Sequence, residues 1–277
     1  MHITSFPAEK LSNLQAIGET YSISFIEHKD ELIDHHDGFI LGKGTNTLLL
    51  NPQKSPIYSL SHLNTIEIAD DGRIKSGAGA LLPALIHRCQ EKGLGGLEFI
   101  YAVPTTLGGA IVQNFGAYGQ SIDSFVEEVE VYNPKTNEFQ TIRPKNKPHC
   151  FGYRSSLFKE EKLIVISATL RLPRIPKNMS QTKCDTNNKT RNKVYPLQKN
   201  IGSIFKNPEG NSAGKLLDEA GLKGQNVGGA IINPNHANII LNHDHATTQD
   251  VADLIEIMHD RVLKTHGVEL EREVVIY

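Results

Sequence analysis

GLGGLEFIYAVPTTLGGAIVQNFGAYG, residues 93–119, is the stretch on which the reading of this chain turns. It carries glycines at 93, 95, 96, 108, 109, 116 and 119, and Glu98 is its one charged residue. Glycine at that density lets the backbone pass through positive φ and lets another group come close to main-chain N–H groups. A stretch so apolar makes a poor solvated linker. Two readings stay open: a backbone cradle for a flat, phosphate-bearing molecule, and a tightly packed structural turn.

A helix expected over residues 82–92 delivers the chain into this stretch. Pro83 suits its first turn, Leu82, Leu85, Ile86 and Cys89 share one face, and Gly93 stops it. Farther upstream, GFILGKGTNTLLL (residues 38–50) reads as strand, glycine turn, strand. Gly42, Lys43, Gly44, Thr45 and Asn46 expose N–H groups, a hydroxyl and an amide at that turn. It either holds a phosphate or closes a β-hairpin. More strands are expected near residues 22–26, 57–60, 65–68, 73–76, 125–132, 138–142 and 163–170. In the fifth of these, Val129 and Val131 alternate with Glu128 and Glu130, as in a half-exposed strand.

Composition changes sharply over residues 171–193, with seven Lys or Arg, one acid and many Asn, Thr and Ser. This is a candidate domain boundary, read as a solvated linker or an anion-facing loop. Beyond it, Ser212 is placed to cap a helix running to about Ala220, and strands are expected over 228–232 and 238–241. Thr247 to Asp250 resembles a capping box, and Val251, Leu254, Ile255, Met258 and Val262 follow at helical spacing. A last strand is expected over 274–276.

The length of 277 residues allows about two domains. A net charge of −2 carries no global nucleic-acid footprint. No apolar run approaches the ~18 residues of a membrane span, and residues 1–10 lack a signal-peptide core. A cytoplasmic protein with no nucleic-acid or membrane partner is expected. Cys89, Cys150 and Cys184 are odd in number and far apart, against a disulfide framework or a zinc site. His236, His243 and His245 come without a recognisable ligand set, so no metal is expected.

Three polar clusters interrupt their surroundings. In the first, Arg154 follows Gly152 and Tyr153 and offers a planar fork for a carboxylate or phosphate, or one half of a structural ion pair. In the second, Gly202 frees the backbone to present Ser203, with Lys206 and Asn207 bringing a cation and an amide to the same turn. Ser203 either donates a proton or merely satisfies that turn. In the third, Glu273 leads Val274, Val275 and Ile276, pointing inward with a perturbed pKa or standing as a strand-edge charge.

Taken together, these stretches resemble the UDP-N-acetylenolpyruvoylglucosamine reductase family over nearly the whole chain. LGKGTN (41–46) looks like the family's flavin-phosphate turn LGxGSN, with Thr45 in place of serine. Residues 93–119 resemble GLSGLE…GIPGTVGGA…NAGAYG. FGYRSSLFK (151–159) is similar to YRxSxFK, GSIFKNP (202–208) to GSxFKNP, and LEREV (270–274) to LExEV. AGKLLDEAGLKG, NHANIILN and ATTQDV fall between them in family order.

The resemblance implies an α+β protein with an FAD-binding fold of the vanillyl-alcohol-oxidase type and a C-terminal α+β substrate-binding domain. The FAD-binding region is expected over 1–172 with the strand near 268–277 packing back on it, the substrate domain over 194–267, and a linker or loop over 173–193. FAD and NADPH are the implied cofactors and a UDP-sugar the implied partner. The implied activity is NADPH-dependent reduction of UDP-N-acetylglucosamine enolpyruvate to UDP-N-acetylmuramate in peptidoglycan precursor synthesis. A related flavoprotein acting on another nucleotide sugar or small acid, or a non-catalytic flavin binder, is the alternative. Oligomeric state is not legible, and a monomer is expected.

Residue roles follow from the same resemblance. Ser203 aligns with the proton donor, and Arg154 and Glu273 with the pair that polarises the substrate carboxylate. A glutamate facing that carboxylate is expected to be protonated or paired with a cation. Gly42, Lys43, Gly44, Thr45, Asn46, Pro104, Thr105, Thr106, Gly108, Gly109, Asn114, Gly116, Ala117 and Tyr118 fall on cofactor positions. Tyr153, Lys206 and Asn207 resemble substrate contacts. Thr105 and Phe115 depart from the pattern, standing where the family has glycine and alanine. Strain is expected at Thr105 if its φ is positive.

Overall fold

The computed structural model describes residues 1–34, 38–52, 55–194 and 199–277. The chain divides into two units: Met1–Thr4, Ser22–Lys43 and Ser55–Thr190 form the first, and Ser5–Tyr21, Gly44–Lys54 and Arg191–Tyr277 the second.

The first unit is built on an antiparallel five-stranded sheet in the order Glu138–Ile142, Val126–Asn133, Ile164–Arg171, Arg73–Gly77, Ile66–Ile68. The alternation read from the sequence holds: Val129 and Val131 are fully buried. Glu130 lies on the other face, where Lys29 Nζ (2.6 Å) and the Ser167 hydroxyl (2.8 Å) donate to its carboxylate. A second sheet pairs Ile57–Ser59 in parallel with both Thr20–Phe25 and Phe39–Ile40, and His2–Pro7 forms its far edge. Helix α1 (Leu82–Glu91) buries Leu82, Leu85, Ile86 and Cys89 as its spacing requires. It is followed by the short α2 (Leu107–Val112).

Residues 173–193 are not a structureless linker. They contain most of helix α3 (Lys177–Val194). Apolar periodicity could not show it, because its inward face is polar: Ser180 and Cys184, four residues apart, are both fully buried. Gln90 Nε2 donates to Ser180 Oγ (3.1 Å) and Cys184 Sγ (3.3 Å), and Ser180 Oγ donates to Glu98 (2.5 Å). Burial pushes the Cys184 thiol up to about 11. Glu98, buried within the glycine-rich stretch, also takes the Gly96 N–H on both carboxylate oxygens at 3.1 and 2.9 Å. Gly96 has φ 122°, and a Cβ there would come 2.7 Å from the Phe125 ring, so glycine is required.

The second unit is smaller. Its three-stranded antiparallel sheet runs Asn226–Val227, Ala230–Ile232, Ile240–Asn242. Helices α4 (Ala213–Glu219) and α5 (Thr248–His266) share its core. Its limits differ from the expected 194–267. Leu14, Ala16 and Leu48 pack in this core, and the terminal strand Val275–Ile276 pairs in parallel with Thr47–Leu48. The partner of that last strand is therefore early in sequence but belongs to the second unit.

The capping box of α5 forms as read. Thr247 Oγ1 accepts from Asp250 N (3.0 Å), and Asp250 Oδ2 accepts from Thr247 N (2.9 Å) and Gly229 N (3.3 Å). Burial alone would raise the Asp250 pKa, but the Thr247 and Gly229 donors hold it below the usual carboxylate range. Its stabilising contribution is therefore present at neutral pH and lost as pH falls through that depressed value. Thr247→Ala should lower the unfolding free energy by about 1 kcal/mol at neutral pH, with the deficit shrinking in acid. Urea midpoints for the two proteins across pH check both statements.

Candidate active site

Within the first unit, two motifs far apart in sequence are sewn together by hydrogen bonds. Asn114 Nδ2 donates to Gly152 O at 2.9 Å, Ser156 Oγ to Val112 O at 2.7 Å, and Lys159 Nζ to Gln113 Oε1 at 3.2 Å. Arg154 Nη2 donates to Gly116 O at 2.7 Å. Gly116 makes this approach possible, since a Cβ there would stand 2.8 Å from Gln120 O and 3.0 Å from Arg154 Nη1. Aromatic rings flank the guanidinium, with its carbon 5.9 Å from the Phe115 centroid and 5.3 Å from that of Tyr153. Phe115 stacks in turn on Phe99, with ring centroids 6.4 Å apart.

Three non-glycine residues here adopt left-handed backbone: Asn114 (φ 42°), Tyr118 (φ 53°) and Arg154 (φ 52°). Bulky residues avoid that region, and such outliers concentrate at functional sites. Thr105 stays outside it, so the strain considered at that position does not arise. It is buried, and its carbonyl accepts from Leu82 N at 3.0 Å.

The glycine-rich segments differ in what they offer a cofactor. At the start of α2, Leu107 N and Gly108 N donate to Ala80 O and Ala78 O, both at 2.9 Å, and the Thr106 hydroxyl takes Gly109 N at 3.2 Å. A Cβ on Gly108 would lie 2.9 Å from that of Ala78, so this glycine serves close chain packing. Pro104 precedes the buried Thr105–Thr106 pair. At the Gly42–Asn46 turn, by contrast, no acceptor among the described residues takes the N–H of Gly42, Lys43, Gly44, Thr45 or Asn46. A run of free N–H groups at a glycine turn is an anion nest, and it suits a cofactor phosphate. Gly44 has φ 59°, and a Cβ there would fall 1.9 Å from Leu11 O.

Within the second unit, the same turn meets the other two candidate residues. Asn46 Nδ2 donates to Glu273 O (3.1 Å), and Val275 N donates to Asn46 O (3.0 Å). Glu273 N and Val274 N both donate to Ile204 O, at 2.8 and 3.2 Å. Ser203 therefore sits one residue before the carbonyl that fixes Glu273. Gly202 (φ 79°) turns the chain ahead of it, with its N–H on Asn200 Oδ1 at 3.0 Å.

The sequence reading passed over Asn238, which is buried and clamps Phe205 twice: Phe205 N donates to its Oδ1 (2.9 Å), and its Nδ2 donates to Phe205 O (2.8 Å). The signal was an uncharged amide within the strand-like NHANIILN. Lys206 Nζ pairs with Glu271 (2.5 Å), and Asn207 Oδ1 accepts from Ala213 N (3.0 Å) at the start of α4.

Comparison with known proteins fits this layout. Residues 35–141 match the family model "FAD binding domain", and residues 194–277 match "UDP-N-acetylenolpyruvoylglucosamine reductase, C-terminal domain". The UDP-N-acetylenolpyruvoylglucosamine reductase of Chlamydia abortus is 38% identical over 244 residues, 88% of this chain and 81% of the relative. The chain belongs to the UDP-N-acetylenolpyruvoylglucosamine reductase family. The Fusobacterium nucleatum reductase is 30% identical across 99% of this chain and 98% of its own. The crystal structure of MurB from Thermus caldophilus aligns with a TM-score of 0.85 at 31% identity, covering 100% of this chain and 99% of that one. The protein is accordingly an FAD-dependent oxidoreductase with an FAD-binding domain. Among the described residues, no helix is long and apolar enough to cross a membrane.

The contrast between glycines yields a test. Gly224 also has positive φ (76°) but open space around its Cβ position. Gly44→Ala should empty the purified protein of most of its FAD, read as flavin absorbance per protein. Gly224→Ala should keep its flavin and lose only about 1 kcal/mol of stability. Equal flavin content in the two variants would remove the turn from the cofactor site.

Proposed function

We propose that this chain is the NADPH-dependent reductase that converts UDP-N-acetylglucosamine enolpyruvate to UDP-N-acetylmuramate, acting as a cytoplasmic monomer in peptidoglycan precursor synthesis. The carrying observation is that the family's serine and glutamate, distant in sequence, are locked together through the carbonyl of Ile204. FAD, when bound, supplies the hydride chemistry between NADPH and the substrate. The Gly42–Asn46 turn would hold its phosphates, and the segments at Pro104–Gly109 and Asn114–Tyr118 its remaining contacts. On this reading the first unit carries the Pro104–Gly109 and Asn114–Tyr118 part of the FAD-binding region.

Reduction of a carbon–carbon double bond beside a carboxylate builds negative charge toward the carboxylate oxygens. Arg154 carries a planar, permanently charged fork that spreads this charge through two parallel hydrogen bonds. Glu273 assists on the same carboxylate, which requires that it be protonated there or share a cation. Ser203, presented by Gly202, delivers the proton to carbon that completes the product. Tyr153, Lys206 and Asn207 contribute to holding the nucleotide sugar. Lys206 and Asn207 already have protein partners, so their part is as much to shape the turn as to touch the ligand.

Purified protein should be yellow and should bleach on adding NADPH without oxygen; recovery of colour should require the UDP-enolpyruvyl sugar. A colourless protein unable to take up FAD would overturn the proposal, as would recovery with unrelated acids alone. Ser203→Ala should leave bleaching by NADPH intact and slow recovery about 100-fold or more. Equal loss of both halves would deny the serine its role.

Phe115, which this chain has in place of the family's alanine, stacks against the guanidinium assigned to the substrate. Phe115→Ala should lower kcat/KM for the UDP-sugar by about fivefold to tenfold, the worth of one partly exposed cation–π contact, while flavin content stays unchanged. Unchanged kcat/KM would show that the ring does not position Arg154.

A further inference from the structure

Away from all of these motifs, the first unit brings two imidazoles and a carboxylate together on its surface. His2 lies in the strand His2–Pro7, Glu27 follows Thr20–Phe25, and His62 follows Ile57–Ser59. His2 Nδ1 is 3.0 Å from Glu27 Oε1, and His62 Nδ1 is 2.6 Å from Glu27 Oε2. The ligand atoms of the three residues all lie within 4.8 Å of one another.

We propose that His2, Glu27 and His62 form a binding site for a divalent transition-metal ion of the Zn2+ type. The sequence showed no such site because its donors come from three separated segments, and only folding assembles them.

Two features go beyond paired surface charges. Both histidines aim the same ring nitrogen at one carboxylate, rather than each seeking its own partner. The rings are also held in advance: Phe25 stacks on His2 with centroids 4.7 Å apart at 6°, and on His62 at 5.7 Å and 26°. Preorganised imidazoles lose little freedom on coordinating an ion.

The donor set selects the ion. Two imidazole nitrogens and one carboxylate oxygen match borderline metals such as zinc, copper and nickel; calcium and magnesium prefer oxygen alone. Three protein ligands leave further positions to water, and the partial exposure of all three side chains gives the ion a path in. Glu31 does not complete the site as a fourth ligand, because its carboxylate pairs with the Met1 amine at 3.1 Å and accepts the Glu27 N–H at 3.3 Å. Coordination replaces the protons that bind the imidazoles to Glu27, so the ion takes over the fastening of the first strand to the two loops.

The test uses the untagged, full-length, flavin-loaded protein, stripped with a chelator and titrated with ZnCl2 by calorimetry. One saturable equivalent is expected, with a rise in Tm that MgCl2 does not reproduce. Glu27→Gln and His62→Ala should each weaken zinc binding by roughly tenfold or more and abolish the Tm rise, leaving NADPH oxidation unchanged. Absence of saturable binding overturns the proposal. So does binding that persists undiminished in both variants, which would place the ion elsewhere on the chain.

Discussion

The carbonyl oxygen of Ile204 accepts two N–H groups, from Glu273 at 2.8 Å and Val274 at 3.2 Å, and the polar centre of the second unit depends on it. Ile204 is fully buried, so this oxygen has no recourse to water and both lone pairs are satisfied by two consecutive residues. That fixes the chain direction at Ser203 and at Glu273 together. The fastening continues on both sides. Asn46 ties the carbonyl of Glu273 to the glycine turn, and Asn238 grips Phe205 by its N–H and its C=O. The backbone under Ser203 and Glu273 is thus over-determined by hydrogen bonds, as a preorganised site requires.

The glycines divide into classes that composition alone cannot separate. Gly96 and Gly44 are obliged by both φ and collision, Gly108 by packing against Ala78, and Gly116 by the approach of Arg154. Much of the stretch 93–119 thus serves internal packing, as the structural-turn reading expects. The exposed N–H groups lie in the shorter Gly42–Asn46 turn instead. Glu98 makes the same point. The one charge of this apolar stretch is buried and receives Gly96 N and Ser180 Oγ.

What was legible in the sequence was local. Strand alternation at Val129 and Val131, the stop at Gly93 and the capping box at Thr247 each follow from neighbours a few residues away, and each formed within a residue or two of its expected bounds. The ordered set of motifs then carried the family. Helix α3 was missed because its buried positions are Ser180 and Cys184, which make no apolar stripe and look like linker. Leu14 and Leu48 carry no sign in the sequence of which core they will join. The His2–Glu27–His62 group was invisible for the same reason. Long-range pairing is decided by topology, and one sequence shows only periodicity.

The left-handed residues of the first unit show how this topology sustains local strain. Tyr118 and Arg154 each occupy a backbone region costing about 1 kcal/mol or more for a side chain of their kind, and Asn114 occupies the same region, which asparagine tolerates. Each is also held by a bond from its own side chain: Asn114 to Gly152 O, Tyr118 OH to Asn187 O at 3.1 Å, and Arg154 to Gly116 O. The three acceptors lie on three different segments. Helix α3 enters the site through this arrangement, since its Asn187 carbonyl holds the tyrosine of the NFGAYG motif. The polar helix that looked like a linker thus anchors Tyr118, two residues beyond the Gly116 carbonyl that takes Arg154.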